Sequence, residues 1–388
     1  MKLEFLGKFY DNHSLSIVNR NIVLELYKKN IKVKIVALDS YDPANNVDKA
    51  QVKILKELEA LEQAEADIQV RHSYPPVWKW PVSSNTKVVF IQPWEYSKAP
   101  FEWQYKFEQF ADALIVPSNF CKQVFEMGGL NPDNLFVVPN GYNEEIFNTN
   151  EAQVDVSKFG IDKTKFNFVY VGNAQWRKGL DILLNAWSNI FVKADNARLI
   201  IKDSPAIYGD TNILNEIVKM QYKTQCAELV YIDKNISDKD MAAIYKASKV
   251  VVHPYRAEGF GMHVQEAIAC GCLPIVSGNG PTDDFIPDDA GIKLQVHKQP
   301  INIQDPSIFA LKPGDAATLM STHTFANEPS IEHLKKAMSV VYHSHDKEVI
   351  LSKTKNNNKL NTWESVANYY VNALTTVASR QSKPQRYL

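Results

Sequence analysis

Residues 253–281 read HPYRAEGFGMHVQEAIACGCLPIVSGNGP. The apolar run KVVVH at residues 249–253 leads into this stretch and predicts a buried parallel strand. A turn that contains glycine, Glu258–Gly261, then leads into a helical pattern, and a second apolar run follows at residues 273–276. Strand, glycine turn, helix and strand form a βαβ unit, whose chemistry is expected at the carboxyl end of the first strand.

Two glutamates, Glu258 and Glu266, flank this turn eight residues apart. The first lies in the loop and the second about one turn into the helix. Both side chains can therefore face one ligand whose anionic part contacts the free N–H groups near Gly261. Two solvated carboxylates are the alternative, but the glycine turn and the flanking strands favour a ligand site.

This pattern resembles the donor-site signature of the family-four glycosyltransferases, which have the GT-B fold. In that family the first glutamate contacts the transferred sugar and the second holds the ribose of the sugar nucleotide. The resemblance implies these roles for Glu258 and Glu266, and it implies donor-binding positions at Gly259, Phe260 and Gly261. It also implies that the configuration at the transferred sugar is retained.

The bulk composition restricts the class of protein. A chain of 388 residues is too long for one ordinary core and fits two α/β domains. The formal net charge is −1, and the sequence contains no large block of charges of one sign, which argues against a nucleic-acid-binding protein. Cys270 and Cys272 lack the partners of a metal or redox site, so we expect small buried thiols there. The sequence contains no apolar leader and no run of about 18 apolar residues. We therefore expect a cytoplasmic protein, with peripheral membrane contact left open.

Strands and helices alternate along the chain. In the first half, strands are expected at residues 2–6, 31–38, 67–71, 87–91, 113–116 and 135–138, with helices at 15–26, 51–66, 103–111 and 119–127. After a polar linker at 139–165, strands are expected at 166–171, 198–202, 229–232, 250–253 and 273–276, with a helix after Gly179. Residues 298–327 look irregular, helices follow at 330–342 and 361–376, and the end frays from residue 381.

This alternation predicts an α/β protein with parallel sheets and helices on both faces. With the resemblance, it predicts a GT-B fold of two Rossmann-like domains whose sheets face across a cleft. The first domain is placed at residues 1–150, the nucleotide-sugar domain at 151–355, and a C-terminal helix and tail that return to the first domain at 356–388. No G-x-G-x-x-G follows the first strand, which disfavours a dinucleotide-dependent dehydrogenase.

A basic turn follows the first strand of the second series. Residues 171–179 read VGNAQWRKG, which places Arg177 and Lys178 where a strand ends and a helix begins. Two cations at a helix N-terminus suit a pyrophosphate, although solvated basic residues are the alternative. In the family resembled here, a lysine before this glycine binds the donor phosphates, which implies that role for Lys178. The family's arginine position is occupied by Asn173, and Arg177 is the candidate to replace it.

His72 ends the stretch DIQVRH at residues 67–72, which resembles an Asp-x-x-x-x-His pattern of the same family. There the histidine lies at the cleft between the domains. An imidazole in that place can hydrogen-bond an acceptor hydroxyl or stabilise charge as the glycosidic bond breaks. A structural histidine is the alternative.

Two further stretches are acceptor-side candidates. Trp94 and Glu95 follow a strand, and an aromatic ring beside a carboxylate suits a sugar, with core packing and helix capping as alternatives. His13 and Ser14 lie in the loop after the first strand, where an N-cap role for Ser14 is the alternative.

No metal site is predicted. The pair Asp238 and Asp240 resembles a metal motif, but Ser237 before it predicts a helix cap with acidic residues in the first turn. Phosphate charge is instead assigned to the helix N-terminus and the two cations.

Together these features predict a metal-independent, retaining glycosyltransferase that needs no cofactor and uses a nucleoside-diphosphate sugar as substrate. The acceptor is expected to be a glycan, a glycolipid or a protein. The alternatives are a GT-B sugar-nucleotide epimerase and a non-catalytic module that binds sugar or nucleotide.

Overall fold

The structure is a computed structural model that describes residues 1–45, 47–62, 65–151, 154–205, 213–301, 324–344 and 358–381. The chain forms two compact units, one of Met1–Gly141 with the residues from Asn361, and one of Tyr142–Leu360. Phe147 explains why the division lies before residue 150: it is buried in the core of the second unit against Tyr245, with ring centroids 6.1 Å apart.

The first unit contains a six-stranded parallel sheet in the order β2-β1-β3-β4-β5-β6. Its strands are β1 Leu3–Gly7, β2 Val33–Ala37, β3 Ile68–His72, β4 Lys87–Ile91, β5 Ala113–Val116 and β6 Leu135–Val137. Because β1 pairs with both β2 and β3, the strand order changes direction between β1 and β3. Such a switch point opens a crevice at the carboxyl ends of β1 and β3.

The helices of this unit are α1 Ser14–Lys28, α2 Lys49–Glu59, α3 Phe101–Phe110, α4 Asn119–Met127 and α10 Trp363–Ser379. The helix α2 ends earlier than predicted, because the chain must return to the sheet, where Asp67 N donates to Lys2 O at 2.9 Å. The C-terminal helix α10 packs on α1 as predicted. The ammonium group of Lys87 donates to the carbonyls of Val377 and Ala378 at 2.9 and 2.8 Å, which satisfies the end of α10.

The second unit contains a six-stranded parallel sheet in the order β12-β11-β10-β7-β8-β9. Its strands are β7 Phe166–Val171, β8 Ala197–Lys202, β9 Glu228–Ile232, β10 Val250–His253, β11 Leu273–Ser277 and β12 Ile292–Leu294. Its helices are α5 Leu180–Ile190, α6 Ile213–Thr224, α7 Asp238–Lys246, α8 Met262–Ala269 and α9 Ile331–His343. This strand order is that of the doubly wound nucleotide-binding folds, and its switch point lies between β7 and β10.

One prediction about this unit is wrong. The region expected to be irregular contains a two-stranded antiparallel sheet of β13 Val296–Pro300 and β14 Phe325–Pro329. Because β13 is largely exposed, its sequence lacks the alternation of apolar and polar residues that predicts a strand. Residues 302–323 of the predicted irregular stretch lie outside the described residues, as does the expected frayed tail beyond residue 381.

Candidate functional site

The two donor motifs meet at the switch point of the second sheet. The strands β7 and β10 are parallel neighbours, so the turn after β7 and the loop after β10 leave the same edge of the sheet. Gly179 makes their close approach feasible: its φ is +71°, and a Cβ at this residue would lie 1.9 Å from Pro254 O. The backbone N–H groups of Arg256 and Ala257 donate to Arg177 O at 2.7 and 3.1 Å. The basic turn is therefore fixed to the glutamate loop by backbone contacts.

Lys178 and Glu258 form an ion pair between Nζ and Oε2. Arg177 Nη1 lies 4.0 Å from the other carboxylate oxygen and donates to Ala257 O at 3.4 Å. The side chains of Lys178 and Glu258 are only 12% and 10% exposed, so the pair is shielded from solvent. Burial alone would raise the pKa of Glu258, but Lys178, the hydrogen bond from His253 and Arg177 together hold it well below its usual range.

Two histidines that the sequence reasoning did not select complete this cluster. His253 ends β10, is fully buried, and places Nε2 3.1 Å from Glu258 Oε2. Burial lowers its pKa to about 4, so the imidazole is neutral and donates to the ionised carboxylate. His263 on α8 packs edge-on against it, with ring centroids 4.1 Å apart. The signal available in the sequence was a histidine at a buried strand end beside the glutamate loop.

His253, Glu258 and His263 each offer a ligand atom within 4.8 Å of the others, a spacing that could hold a metal ion. However, the carboxylate already pairs with Lys178, and Arg177 lies beside it. A divalent cation here would have to displace or face two fixed positive charges. The cluster is therefore better described as a carboxylate held by cations than as a metal centre.

Glu266 lies on α8, and its carboxylate accepts a hydrogen bond from the Tyr245 hydroxyl on α7 at 3.5 Å. Burial, with a smaller contribution from the nearby Asp238, raises the pKa of Glu266 to about 8. Asp238 and Asp240 begin α7 behind the cap formed by Ser237, as predicted.

The glycine turn contributes backbone rather than side chains. Gly261 has φ +94° and stands directly before α8, and Gly259 N donates to Glu258 Oε1 at 3.1 Å. Phe260 is buried in the core against Phe285, with ring centroids 5.2 Å apart. The side chain of Phe260 is therefore part of the core, and its donor-binding role stays a prediction for the backbone alone.

Arg256 is a further residue that the sequence reasoning missed. Its buried guanidinium binds both carboxylate oxygens of Asp181 at 2.7 Å, donates to Trp176 O at 2.7 Å, and also pairs with Glu328. It lies 4.6 Å from the centre of the Trp176 ring. Arg256 thus ties the basic turn, the start of α5 and the strand β14 together, which limits the freedom of Arg177.

In the first unit, His72 ends β3 and is 2% exposed. Its Nδ1 lies 2.6 Å from Asn19 Oδ1 on α1, and its Nε2 is buried without a partner in the described chain. Burial, with a smaller contribution from the nearby His13, lowers the pKa of His72 to about 3. The side chain is therefore neutral at physiological pH.

The loop before α1 is held by side chains. His13, and not Ser14, caps α1: its Nδ1 accepts from Leu15 N at 3.3 Å. The N-cap role considered for Ser14 is wrong, because Ser14 is the first helical residue. Arg20, buried on α1, donates to Phe9 O at 2.9 Å and holds the same loop.

Trp94 is not a surface platform. It is 2% exposed, its Nε1 donates to Lys98 O at 2.6 Å, and it packs edge-on against Trp103 with centroids 5.0 Å apart. Because its ring is buried, Trp94 is a core residue, as in the alternative that the sequence left open, and not a stacking surface for a sugar. Glu95 beside it is partly buried.

The second unit contains a region that matches a known protein family. Residues 152–306, which contain the basic turn and both glutamates, match the family model described as glycosyl transferases group 1. This part of the chain is therefore similar to the group 1 glycosyltransferases. D-inositol 3-phosphate glycosyltransferase 1 of Catenulispora acidiphila is 27% identical over 171 residues, which are 43% of this chain and 41% of that protein. The chain thus matches less than half the length of this curated relative.

Two solved structures resemble the whole chain. Sucrose-phosphate synthase of Thermosynechococcus elongatus has a TM-score of 0.64 at 14% identity, covering 97% of this chain and 99% of that one. HepE of Anabaena in complex with UDP-glucose has a TM-score of 0.62 at 13% identity, covering 98% and 100%. These similarities establish the fold: two parallel six-stranded sheets in the GT-B architecture, as predicted. Among the described residues, no helix is long and apolar enough to cross a membrane.

Proposed function

We propose that this chain is a glycosyltransferase that moves a sugar from a nucleoside-diphosphate sugar to an acceptor hydroxyl. The observation that carries the proposal is the largely buried Lys178–Glu258 pair, which lies at the switch point of the second sheet within the region that matches the group 1 model. Open α/β sheets bind their ligands at such switch points. A carboxylate held between two cations is suited to a ligand that is anionic at one end and carries hydroxyls at the other.

Each end of the donor has a candidate partner. The diphosphate is assigned to Lys178 and Arg177, the ribose to Glu266, and the transferred sugar to Glu258. The phosphates and Glu258 compete for the same ammonium group. Binding of the diphosphate to Lys178 would therefore leave the Glu258 oxygens available to accept sugar hydroxyls.

The reaction is assigned without a metal. Two cations beside the phosphates can stabilise the charge that develops on the departing nucleoside diphosphate. Retention of configuration is part of the proposal and rests on the resemblance of the glutamate motif to the family-four enzymes.

The substrate class is taken from the proteins that the chain resembles. HepE has been solved with UDP-glucose, which supports a nucleotide sugar as donor. The relative named as an inositol 3-phosphate glycosyltransferase supports a hydroxyl acceptor. We assign the acceptor side to the first unit, with His72, His13 and Glu95 as candidates, and the class of acceptor to a glycan, glycolipid or protein. We place the enzyme in the cytoplasm or peripherally at its membrane.

Incubation of the full chain with labelled UDP-glucose, ADP-glucose and GDP-mannose tests the proposal. Transfer to an added acceptor, or slow hydrolysis of one donor, is expected. Formation of an isomeric sugar nucleotide would show an epimerase. Binding of a nucleotide with no turnover under any acceptor would show a non-catalytic module.

A further inference from the structure

Three residues of the first unit converge at the switch point between β1 and β3. Gly7 and His72 are the last residues of these strands and are directly paired in register. Asn19, fully buried on α1, inserts its side chain over this pair. A Cβ on Gly7 would lie 2.5 Å from Asn19 Nδ2 and 2.7 Å from His72 O. Only a residue without a side chain leaves room for the amide at this place.

The hydrogen bonds of Asn19 fix which way its amide points. Its Nδ2 donates to Lys8 O at 2.9 Å and to His72 O at 3.3 Å. Both partners are backbone carbonyls, which can only accept, so the NH₂ group must lie on their side. The carbonyl oxygen of the amide then faces His72 Nδ1 at 2.6 Å.

This orientation determines the proton on His72. The amide oxygen can only accept, so Nδ1 must carry a hydrogen. Burial keeps the ring neutral, because it lowers the pKa of His72 to about 3. A neutral imidazole has one N–H, so Nε2 carries a bare lone pair, and it is buried with no hydrogen-bond partner in the described chain. A buried acceptor without a donor is costly, so this position favours a ligand or water that supplies one.

We propose that Asn19 is a positioning residue that fixes His72 as the Nδ1–H tautomer, so that Nε2 accepts a hydrogen bond from a hydroxyl of the acceptor. This inference rests on the proposed function for the identity of the ligand. It decides between the two roles that the sequence left open for His72. A neutral ring with a bare Nε2 binds a hydroxyl and cannot stabilise a charge as a cation would. A phosphate or carboxylate oxygen has no hydrogen to offer it.

The tautomer can be read directly. In the full chain labelled with ¹⁵N-histidine, His72 should show a protonated Nδ1 and a non-protonated Nε2 at every pH from about 5 to 9, in contrast to a solvated histidine, which titrates near 6.5. The Nε2 signal should move when glucose, mannose or inositol is added as a probe that carries hydroxyls. His72→Gln assigns the signals.

The role of Asn19 is separated from general packing by matched variants on one helix. Asn19→Leu keeps the branched shape of the side chain but removes the amide. Turnover should fall by about 10²-fold, the usual scale for a positioned polar group, while nucleotide affinity is unchanged. Asn21→Leu removes an amide that bonds only to Ile17 O within α1, and turnover should stay near wild type. Asn19→Asp places a carboxylate against Nδ1 and should raise the pKa of His72. Turnover of this variant should therefore fall at acidic pH, where the ring becomes protonated.

A proton on Nε2 of His72 in the wild-type protein would overturn the inference, whether or not Asn19→Leu folds. So would wild-type turnover of a folded Asn19→Leu. An Nε2 signal that none of these hydroxyl probes moves would overturn the hydroxyl contact and leave only an ordered water. The proposed function fails separately, if wild-type protein with the assigned tautomer transfers and hydrolyses none of the donors.

Discussion

Lys178 and Glu258 stand eighty residues apart in the chain and form a largely buried ion pair. One belongs to the turn after β7 and the other to the loop after β10, the two strands at the switch point of the second sheet. A single contact therefore unites the cation assigned to phosphate with the carboxylate assigned to sugar. We therefore expect this ion pair to stabilise the fold of the second unit as well.

Lys178→Met should destabilise the fold. The variant leaves a buried carboxylate without its main partner, and breaking such a pair costs about 3–5 kcal/mol. We expect the lower end, about 3 kcal/mol, because Arg177 and His253 remain beside Glu258. Denaturant unfolding checks this against Lys219→Met, whose exposed pair with Glu216 should contribute less than about 1 kcal/mol. Equal effects of the two variants would show that the pair at the site is not a stabilising contact.

Nucleotide affinity should rise with pH between about 6 and 8 through Glu266. Its pKa is raised to about 8, so the carboxyl is largely protonated near neutral pH, whereas accepting both ribose hydroxyls requires the ionised form. Binding should then release a proton, and affinity should gain up to about tenfold per pH unit below 8. Calorimetry of UDP in buffers of different ionisation enthalpy measures this. Glu266→Gln is the control that removes the proton release while the phosphate titration remains.

The same group predicts the sign of a stability effect. Between pH 4.5 and 8 the folded chain holds a proton on Glu266 that the unfolded chain has already released. This group should therefore lower stability as pH rises through that window. Thermal unfolding of wild type and Glu266→Gln should diverge with increasing pH, with the wild type becoming relatively less stable. A constant difference between them would contradict a raised pKa.

Transfer should persist in excess EDTA. Lys178 and Arg177 already supply positive charge at Glu258, and a metal would have to compete with both. Activity should be the same before and after chelation and dialysis. Loss of turnover in EDTA with rescue by Mg²⁺ or Mn²⁺ would return the His253, Glu258 and His263 cluster to consideration as a metal centre.

Glu258→Gln and His72→Ala should both spare nucleotide binding and reduce turnover. The first removes a charge assigned to the sugar while keeping the size of the side chain, and turnover should fall by about 10²-fold or more. The second removes a side chain of the first unit, while the nucleotide is assigned to the second. Turnover measured beside UDP affinity tests both. Wild-type turnover of His72→Ala would make it a structural histidine and direct the search for acceptor-side chemistry to Glu95.

Local patterns in the chain were sufficient for most of the fold. The strands at 87–91, 113–116, 166–171 and 250–253 and the helix at 119–127 have the predicted bounds. Runs of apolar residues and helical periodicity report which face of an element is buried, and this information is contained within the element itself. The antiparallel pair of β13 and β14 was missed because its first strand is mostly exposed and has no such pattern.

Side chains whose roles depend on distant partners were harder to interpret. Trp94 was a candidate for sugar stacking and is a core residue, because Trp103 packs against its ring. Ser14 was a candidate cap, but the chain enters α1 one residue earlier, with His13 as the cap. Propensity ranks serine above histidine at such positions, and the tertiary path of the loop decides otherwise.

The sequence by itself determined the alternation of strands and helices, the two-domain α/β class and the motif of glutamates and cations, because each is expressed by residues near one another in the chain. Only the tertiary structure decided that Lys178 meets Glu258, that His253 donates to the same carboxylate, and that Asn19 faces His72. These contacts join residues on separate elements, and they depend on strand order and on close backbone approach at Gly179 and Gly7. Burial then sets the charge of each group, since the cost of ionisation depends on the neighbours that folding brings to it.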